Sequence, residues 1–291
     1  MARARKSELA GIEYHGLPGI SQESKDAVIR LVQCHESITA ARILSHDGSH
    51  GLLLTWGVGD LIAVKSGFSS GYLGEGPRAF SYVLQLLKAH QVEIEEFNVT
   101  EDLVSRLDAS ALTCADMAEI DAARPIRPRR WYDYILEEDA DRNAEGELWI
   151  EFRPVVPFAI IDPRMADLAL EFWDRPDDRL MTGYRRLEDI VRTRTGLDEY
   201  GSKLFSQAFL GPVSKLYWSG LDGGEQQGRG SLFPSIYNAY RNPRAHREVR
   251  HDANDLLSEF LLLNHLYALE RDARERVFAG DSSGREDTQL T

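Results

Sequence analysis

The feature that most constrains this chain is a change of hydrophobic period near Pro154 and Pro157. Before it, short apolar runs are bounded by glycines. Gly51–Trp56, Leu61–Lys65 and Val92–Val99 read as strands. After Asp162-Pro163, an N-cap and first-turn pair, the pattern is helical to the end. A chain that changes period part-way must build two different cores. The expected class is α+β, a small N-terminal α+β domain followed by an all-α helical bundle. A length of 291 residues with 43% hydrophobic content suits one large or two ordinary domains. The expected boundaries are 1–125 for the α+β domain, 126–160 for a hairpin and linker, 161–279 for the helical domain and 280–291 for a disordered tail.

The N-terminal part opens irregularly. Ser21 then starts a helix whose apolar stripe is Ala27, Val28, Leu31, Val32, Cys34, His35 and Ile38. Asp47-Gly48 marks a turn before the first strand. Gly67, Gly71, Gly74 and Gly76 make a glycine-dense loop that ends at Pro77, where a helix begins and runs to about Ala89. Such a loop either serves turns that need positive φ or holds an anion at the helix N-terminus. In the second case Lys65, Tyr72, Gly74, Gly76 and Arg78 are the ligand-binding residues, and the domain is a sensor. The loop lacks both the P-loop ending and the dinucleotide glycine order. Thr100 caps a short helix over 101–107, and another covers 114–122. Residues 129–153 read as a hairpin whose tip, Glu137 to Glu147, is an acidic solvated loop.

Net charge is −13, so any nucleic-acid contact must use a local basic patch. Two cysteines, Cys34 and Cys114, form neither a disulfide framework nor a zinc pattern and fit a reducing compartment. No metal or other cofactor is expected. No apolar run nears the ~18 residues that span a membrane, and the basic start lacks a signal-peptide core. A cytoplasmic protein that makes no membrane contact is expected.

Helices are predicted over 163–173, 178–194 (closed by Gly196), 199–210, 226–240, 243–249 and 252–276. Tyr240 to Arg247 stands out among them. Asn242-Pro243 predicts a helix break, because the residue before proline is disfavoured in the α region. Asn242 is then the N-cap of a new helix with Pro243 in its first turn. Arg241 closes one helix and His246 lies in the first turn of the next, so both can face one cleft. A second Arg-x4-His pair, Arg30…His35, sits inside an unbroken helical pattern and needs no special reading.

The C-terminal residues Tyr184–Glu188, Gly196-Leu197, Lys203–Phe209, Glu225–Gly228, Leu232-Phe233 and Arg241–His246 resemble the HEPN superfamily, and within it the phage-associated Ymh family. The resemblance covers about residues 165–275. Its Arg-Asn-x-x-x-His core is similar to the ribonuclease motif of HEPN toxins and type VI CRISPR effectors. The resemblance implies a metal-independent endoribonuclease, a toxin or abortive-infection effector in antiviral defence. Catalysis would fall to Arg241, His246 and Asn242, with Arg244, Arg247 and Arg250 holding RNA. In that chemistry a 2′-hydroxyl attacks the adjacent phosphate. His246 moves the proton, and Arg241 stabilises phosphoryl charge with its planar fork. The implied partners are RNA, a second copy of the chain, and an antitoxin or phage-derived trigger. A nucleotide-binding or dimerising module without catalysis is the alternative, beside an N-terminal domain that binds a nucleotide as a sensor.

Overall fold

The computed structural model describes residues 8–34, 37–136, 147–246 and 252–276, the last turn at 245–246 by its backbone alone. The protein is α+β, with two compact units, residues 1–153 and 154–291.

The first unit is built on a five-stranded sheet. In chain order it runs β1 (Glu13–His15), α1 (Ser21–Cys34), β2 (Ile38–His46), β3 (Ser49–Trp56), β4 (Asp60–Ser69), α2 (Glu75–Ala89), β5 (Glu93–Asn98), α3 (Glu101–Asp108) and α4 (Cys114–Ala122). The spatial order is β1-β4-β3-β2-β5. Only β3 runs against the others, since β1 pairs β4 and β2 pairs β5 in parallel. The C-terminal ends of β2, β4 and β5 therefore share one edge, where open parallel sheets commonly bind ligands.

Both faces of the sheet are covered. Ile43, Leu52, Leu54 and Val64 pack with Val28, Leu31, Phe80, Val83 and Leu87 of α1 and α2. Leu44, Leu53 and Ala63 pack on the opposite side with Leu103, Leu107 and Ile120 of α3 and α4. Double burial explains why β3 reads Leu52-Leu53-Leu54 without alternation. Asp47 and Gly48, both at positive φ, close the β2–β3 hairpin. Local signals set the smaller helices. Thr100 caps α3, and Thr113 forms a reciprocal capping box with Asp116 on α4.

Two expectations are corrected here. The first helix stops at Cys34, and Ile38 opens β2, a strand that the sequence reading had not assigned. The described ends of the 129–153 segment do not pair as a hairpin. Trp131–Tyr134 and Glu147–Trp149 are single 3-10 turns. Trp131 joins the core under α1 and α2 with Phe152 against it, and the Tyr82 hydroxyl donates to the Leu148 carbonyl at 2.5 Å. This segment thus belongs to the first unit, and the boundary falls at 153/154 rather than 125. The acidic run 137–146 lies outside the described residues, as does the tail from 280.

The second unit is helical: α5 (Ala166–Leu170), α6 (Pro176–Thr195), α7 (Gly201–Phe209), α8 (Gly223–Ile236), α9 (Asn242–His246) and α10 (Ala253–Asp272). A two-residue ladder pairs β6 (Leu216–Tyr217) with β7 (Arg274–Glu275). Gly196 ends α6 at φ 66°, the left-handed cap its position predicts. The core is aromatic. Phe209 stacks on Phe233 at 4.0 Å between ring centroids, and Phe172 meets Phe260 at 4.5 Å. Phe260 is fully buried on α10, in the aromatic core against Phe172. Truncation of Phe260 to Ala is expected to cost about 3–5 kcal/mol of stability, read as a lower urea midpoint for the C-terminal transition at unchanged slope.

Candidate functional site

Tyr240 to His246 does not contain the predicted break. Tyr237–Arg241 forms a π-helical turn that runs straight into α9, and Asn242 is itself helical at φ −64°, ψ −46°. The Asn242 amide donates to the Tyr237 carbonyl, five residues back. A proline inside a helix loses its own hydrogen bond and clashes with the carbonyl four residues earlier. The wider π turn relieves that clash, so Pro243 produces a bulge rather than a stop. Such bulges concentrate at functional sites. Asn242 is therefore no N-cap; its side chain donates to Asn238 Oδ1 at 3.0 Å, which also accepts from Ser202 Oγ.

Continuity also changes the geometry of the pair. Five residues along an α-helix turn the backbone by about 140°, so positions 241 and 246 do not share one face. Arg241 lies with its guanidinium 5.1 Å from the Tyr237 ring centroid, a cation–π contact. The Tyr237 hydroxyl donates to Glu188 Oε2 at 2.5 Å, and Glu188 Oε1 accepts the Gly201 amide at 2.8 Å. Burial and this carboxylate hold the Tyr237 phenol protonated, far above its ordinary range. Arg241 Nε is buried without a hydrogen-bond partner, and among the described residues no carboxylate pairs with Arg241.

Arg244 corrects the sequence reading. It was expected to hold RNA, but its side chain is 4% exposed. It donates through Nε and Nη2 to the buried Glu259 of α10, and through Nη1 to Asp177 of α6. Burial works against the charged form, yet these carboxylates raise the Arg244 pKa further. The guanidinium is committed to folding and cannot serve a strand backbone. Arg247 and Arg250 lie outside the described residues, and of His246 only the backbone is placed, in α9.

The glycine loop of the first unit is also rearranged relative to expectation. Gly71 needs its positive φ of 89°. Gly74 and Gly76 are there for space instead: a Cβ on Gly76 would meet Ser69 Oγ, and one on Gly74 would meet the Tyr72 ring. Tyr72 is spent on Ser69, with its hydroxyl 2.8 Å from Ser69 Oγ. Glu75 occupies the first turn of α2, where it opposes a bound anion.

The cavity at this edge, about 400 Å³, is lined by Ser45, His46, Asp47, Gly48, His50, Ser70, Asn98, Val99, Arg130 and Tyr134. Lys65, Tyr72, Gly74, Gly76 and Arg78 are not in its wall. Behind the wall lies Glu96, 2% exposed. Glu96 Oε1 accepts from Ser45 Oγ at 2.6 Å, Arg130 Nη2 at 2.5 Å and the Tyr134 hydroxyl at 2.9 Å. Burial alone would raise its carboxyl pKa; these bonds outweigh it and hold the group ionised. His50, 1% exposed, stacks on Phe80 at 4.5 Å. Desolvation lowers its pKa to about 4. Sequence reasoning missed this group because its members come from β2, β3, β5 and two loops. The faint signal was two polar residues, Ser45 and His50, flanking a tight turn between apolar strands.

Residues 177–268 match a family model described as "Protein of unknown function (Hypoth_ymh)". The C-terminal segment is Ymh-like. The match runs from α6 into α10, includes the π turn and α9, and leaves the sheet unit outside it. No curated protein matches. Among solved structures, a chain of respiratory complex I from Thermus thermophilus is similar at 19% identity. The alignment covers 42% of this chain and 99% of that one, with a TM-score of 0.34, too low to carry any argument. No helix among the described residues is long and apolar enough to cross a membrane.

Two outcomes follow. Removing Arg244 leaves Glu259 buried and unpaired, so Arg244→Ala should destabilise the Ymh-like unit by about 3–5 kcal/mol, while replacing both partners by apolar residues should recover much of it. Chemical denaturation of the two variants measures this. In the sheet unit, His50 takes up a proton at pH about 4 when folded and at 6.5 when unfolded. Its contribution is complete above pH 6.5 and is lost as pH falls toward 4, because the unfolded chain binds the extra proton in that window. Glu96, whose pKa is lowered from 4.5, acts in the same direction but only below that pH. The melting temperature of this unit should drop across that range, with a shallower slope in His50→Gln.

Proposed function

We propose that the Ymh-like unit is a metal-independent endoribonuclease of the HEPN type, acting as a toxin or abortive-infection effector in phage defence under control of the N-terminal unit. The observation that carries this reading is Arg241. It is a guanidinium without a carboxylate partner among the described residues, braced on a tyrosine that is itself anchored by a buried glutamate. Every other arginine contact in this segment that the structure describes is structural. An arginine left unneutralised at a π turn suits the stabilisation of phosphoryl charge. His246 is the group for proton transfer, and Asn242, tied to Asn238, steadies the turn between them.

The rotation of about 140° between positions 241 and 246 favours a site completed by a second copy over one closed on a single helix. A homodimer is therefore the working form. RNA contact beyond Arg241 rests on Arg247 and Arg250, since Arg244 is committed to Glu259. That commitment is also the observation that favours the second reading, a binding or dimerising module with the ligand-sensing role in the sheet unit.

Expressed in cells, the wild-type protein should cut RNA to leave 2′,3′-cyclic phosphate ends, and chelator should not inhibit it. His246→Ala should reduce cleavage about 10²–10⁴-fold. Arg241→Lys should be nearly as damaging as Arg241→Ala, because a point charge cannot replace the planar fork. Both variants should remain folded and dimeric by light scattering. End-sequencing of cellular RNA is the measurement, and cuts that persist in His246→Ala would support the binding-module reading instead.

A further inference from the structure

The cavity in the sheet unit holds a hydrogen-bonded chain whose direction can be worked out. Glu96 is ionised and can only accept, so Ser45 Oγ donates to it across 2.6 Å. A serine hydroxyl has one proton. Ser45 Oγ must then accept from His50 Nδ1, 2.8 Å away. Neutral His50 carries its proton on Nδ1, which leaves Nε2 with a lone pair. Ser70 Oγ lies 2.8 Å from that Nε2 and donates to it. The order is Ser70 to His50 to Ser45 to Glu96, with each partner fixed by the next.

We propose that Ser70 is a nucleophile, His50 its general base, and Ser45 with Glu96 the groups that orient the base, in an acyl-ester hydrolase site distinct from the Ymh-like unit. Three features support it. Ser70 is half-buried on the cavity wall beside the more deeply buried His50, whereas Glu96 is closed behind it. A hydroxyl held on the unprotonated nitrogen of an oriented imidazole is the recurring arrangement of activated serines. The cavity lies at the C-terminal ends of β2, β4 and β5, with Arg130 on its wall as the cation for a developing oxyanion. Arg130 already holds Glu96 and reaches Asn98 Oδ1 at 3.4 Å, so it is fixed rather than free to swing away. The cavity size and polar wall suit a small polar ester.

The chemistry balances without a further reagent. As Ser70 Oγ attacks the carbonyl carbon, its proton passes to His50 Nε2. The tetrahedral oxyanion collapses, the ester C–O bond breaks, and the departing alkoxide takes the proton from Nε2. The product is an alcohol and an acyl-serine. Water then attacks the acyl carbon through the same base, releasing the acid and restoring Ser70. The groups facing His50 are Glu96 and Arg130 by charge, Tyr134 at 5.0 Å between ring centroids, and the two serines. Tyr134 stays protonated at neutral pH, with its pKa pushed up to about 12 by burial and Glu96.

The test uses the full chain, a fluorophosphonate probe and 4-nitrophenyl acetate. The expected result is a single covalent adduct that peptide mass spectrometry maps to Ser70, and an initial burst of nitrophenol. Ser70→Ala should abolish both at an unchanged melting temperature. His50→Gln should slow acylation by about 10²–10⁴-fold, and Ser45→Ala should lower the rate less while shifting the pH at which it rises. If His50→Gln fails to fold, Ser70→Ala still decides. Absence of an adduct on the folded wild-type chain overturns the proposal, as does an adduct at other serines that survives Ser70→Ala. Either result would make the chain of hydrogen bonds a structural network.

Discussion

Burying a carboxylate is costly unless a cation and hydrogen bonds meet it, and this constraint organises both units. In the helical unit α10 carries Glu259 and Glu270, 2% and 1% exposed, on the face that packs inward. Glu259 draws Arg244 in from α9, and Glu270 draws Arg164 and Arg194 from either side. Arg164 is shared with Asp162, which also caps the turn at Pro163. The helices are thus registered against one another by charge placement as much as by the aromatic core. In the sheet unit Glu96 plays the same part for Arg130, Ser45 and Tyr134.

The same constraint sorts the arginines by role. In the segment around α9, Arg244 answers a buried demand and is withdrawn from solvent, while Arg241 answers none that the described residues present. Their positions are three apart, and by resemblance Arg241 was expected to serve catalysis and Arg244 to hold RNA. What separates them is which one faces Glu259. The π turn contributes to this, because the extra residue it inserts rotates everything that follows. Pro243 thereby sets the angle between Arg241 and the residues of α9 through backbone geometry.

In the sheet unit, polar residues at the strand ends form a connected chain rather than scattered surface groups. His50 is buried, neutral and stacked on Phe80, and both its ring nitrogens are engaged. A fully connected buried network rigidifies its surroundings whatever chemistry it performs.

The sequence by itself determined the class of each half and most element positions. Leu52-Leu53-Leu54, Ile62 to Val64 and the run from Leu256 to Leu269 carry periods that leave little choice. Local caps such as Thr100, Thr113 and Gly196 fixed helix ends, because those interactions are made within a few residues. Tertiary structure decided the rest. β2 was hidden because Arg42 and the two alanines weaken its pattern, and pairing with β3 and β5 on both sides supplies what its side chains do not. The 129–153 segment followed the packing of Trp131 and Phe152 rather than its local alternation. Asn242-Pro243 reads as a break by propensity, yet the helix continues, because a π turn removes the proline clash, packing of Phe233 and Tyr237 holds the side before it, and the Arg244–Glu259 pair holds the side after it. The cavity chain joins residues up to 51 positions apart, and no spacing in a sequence encodes that approach. Only the fold of the sheet brings them within hydrogen-bond reach.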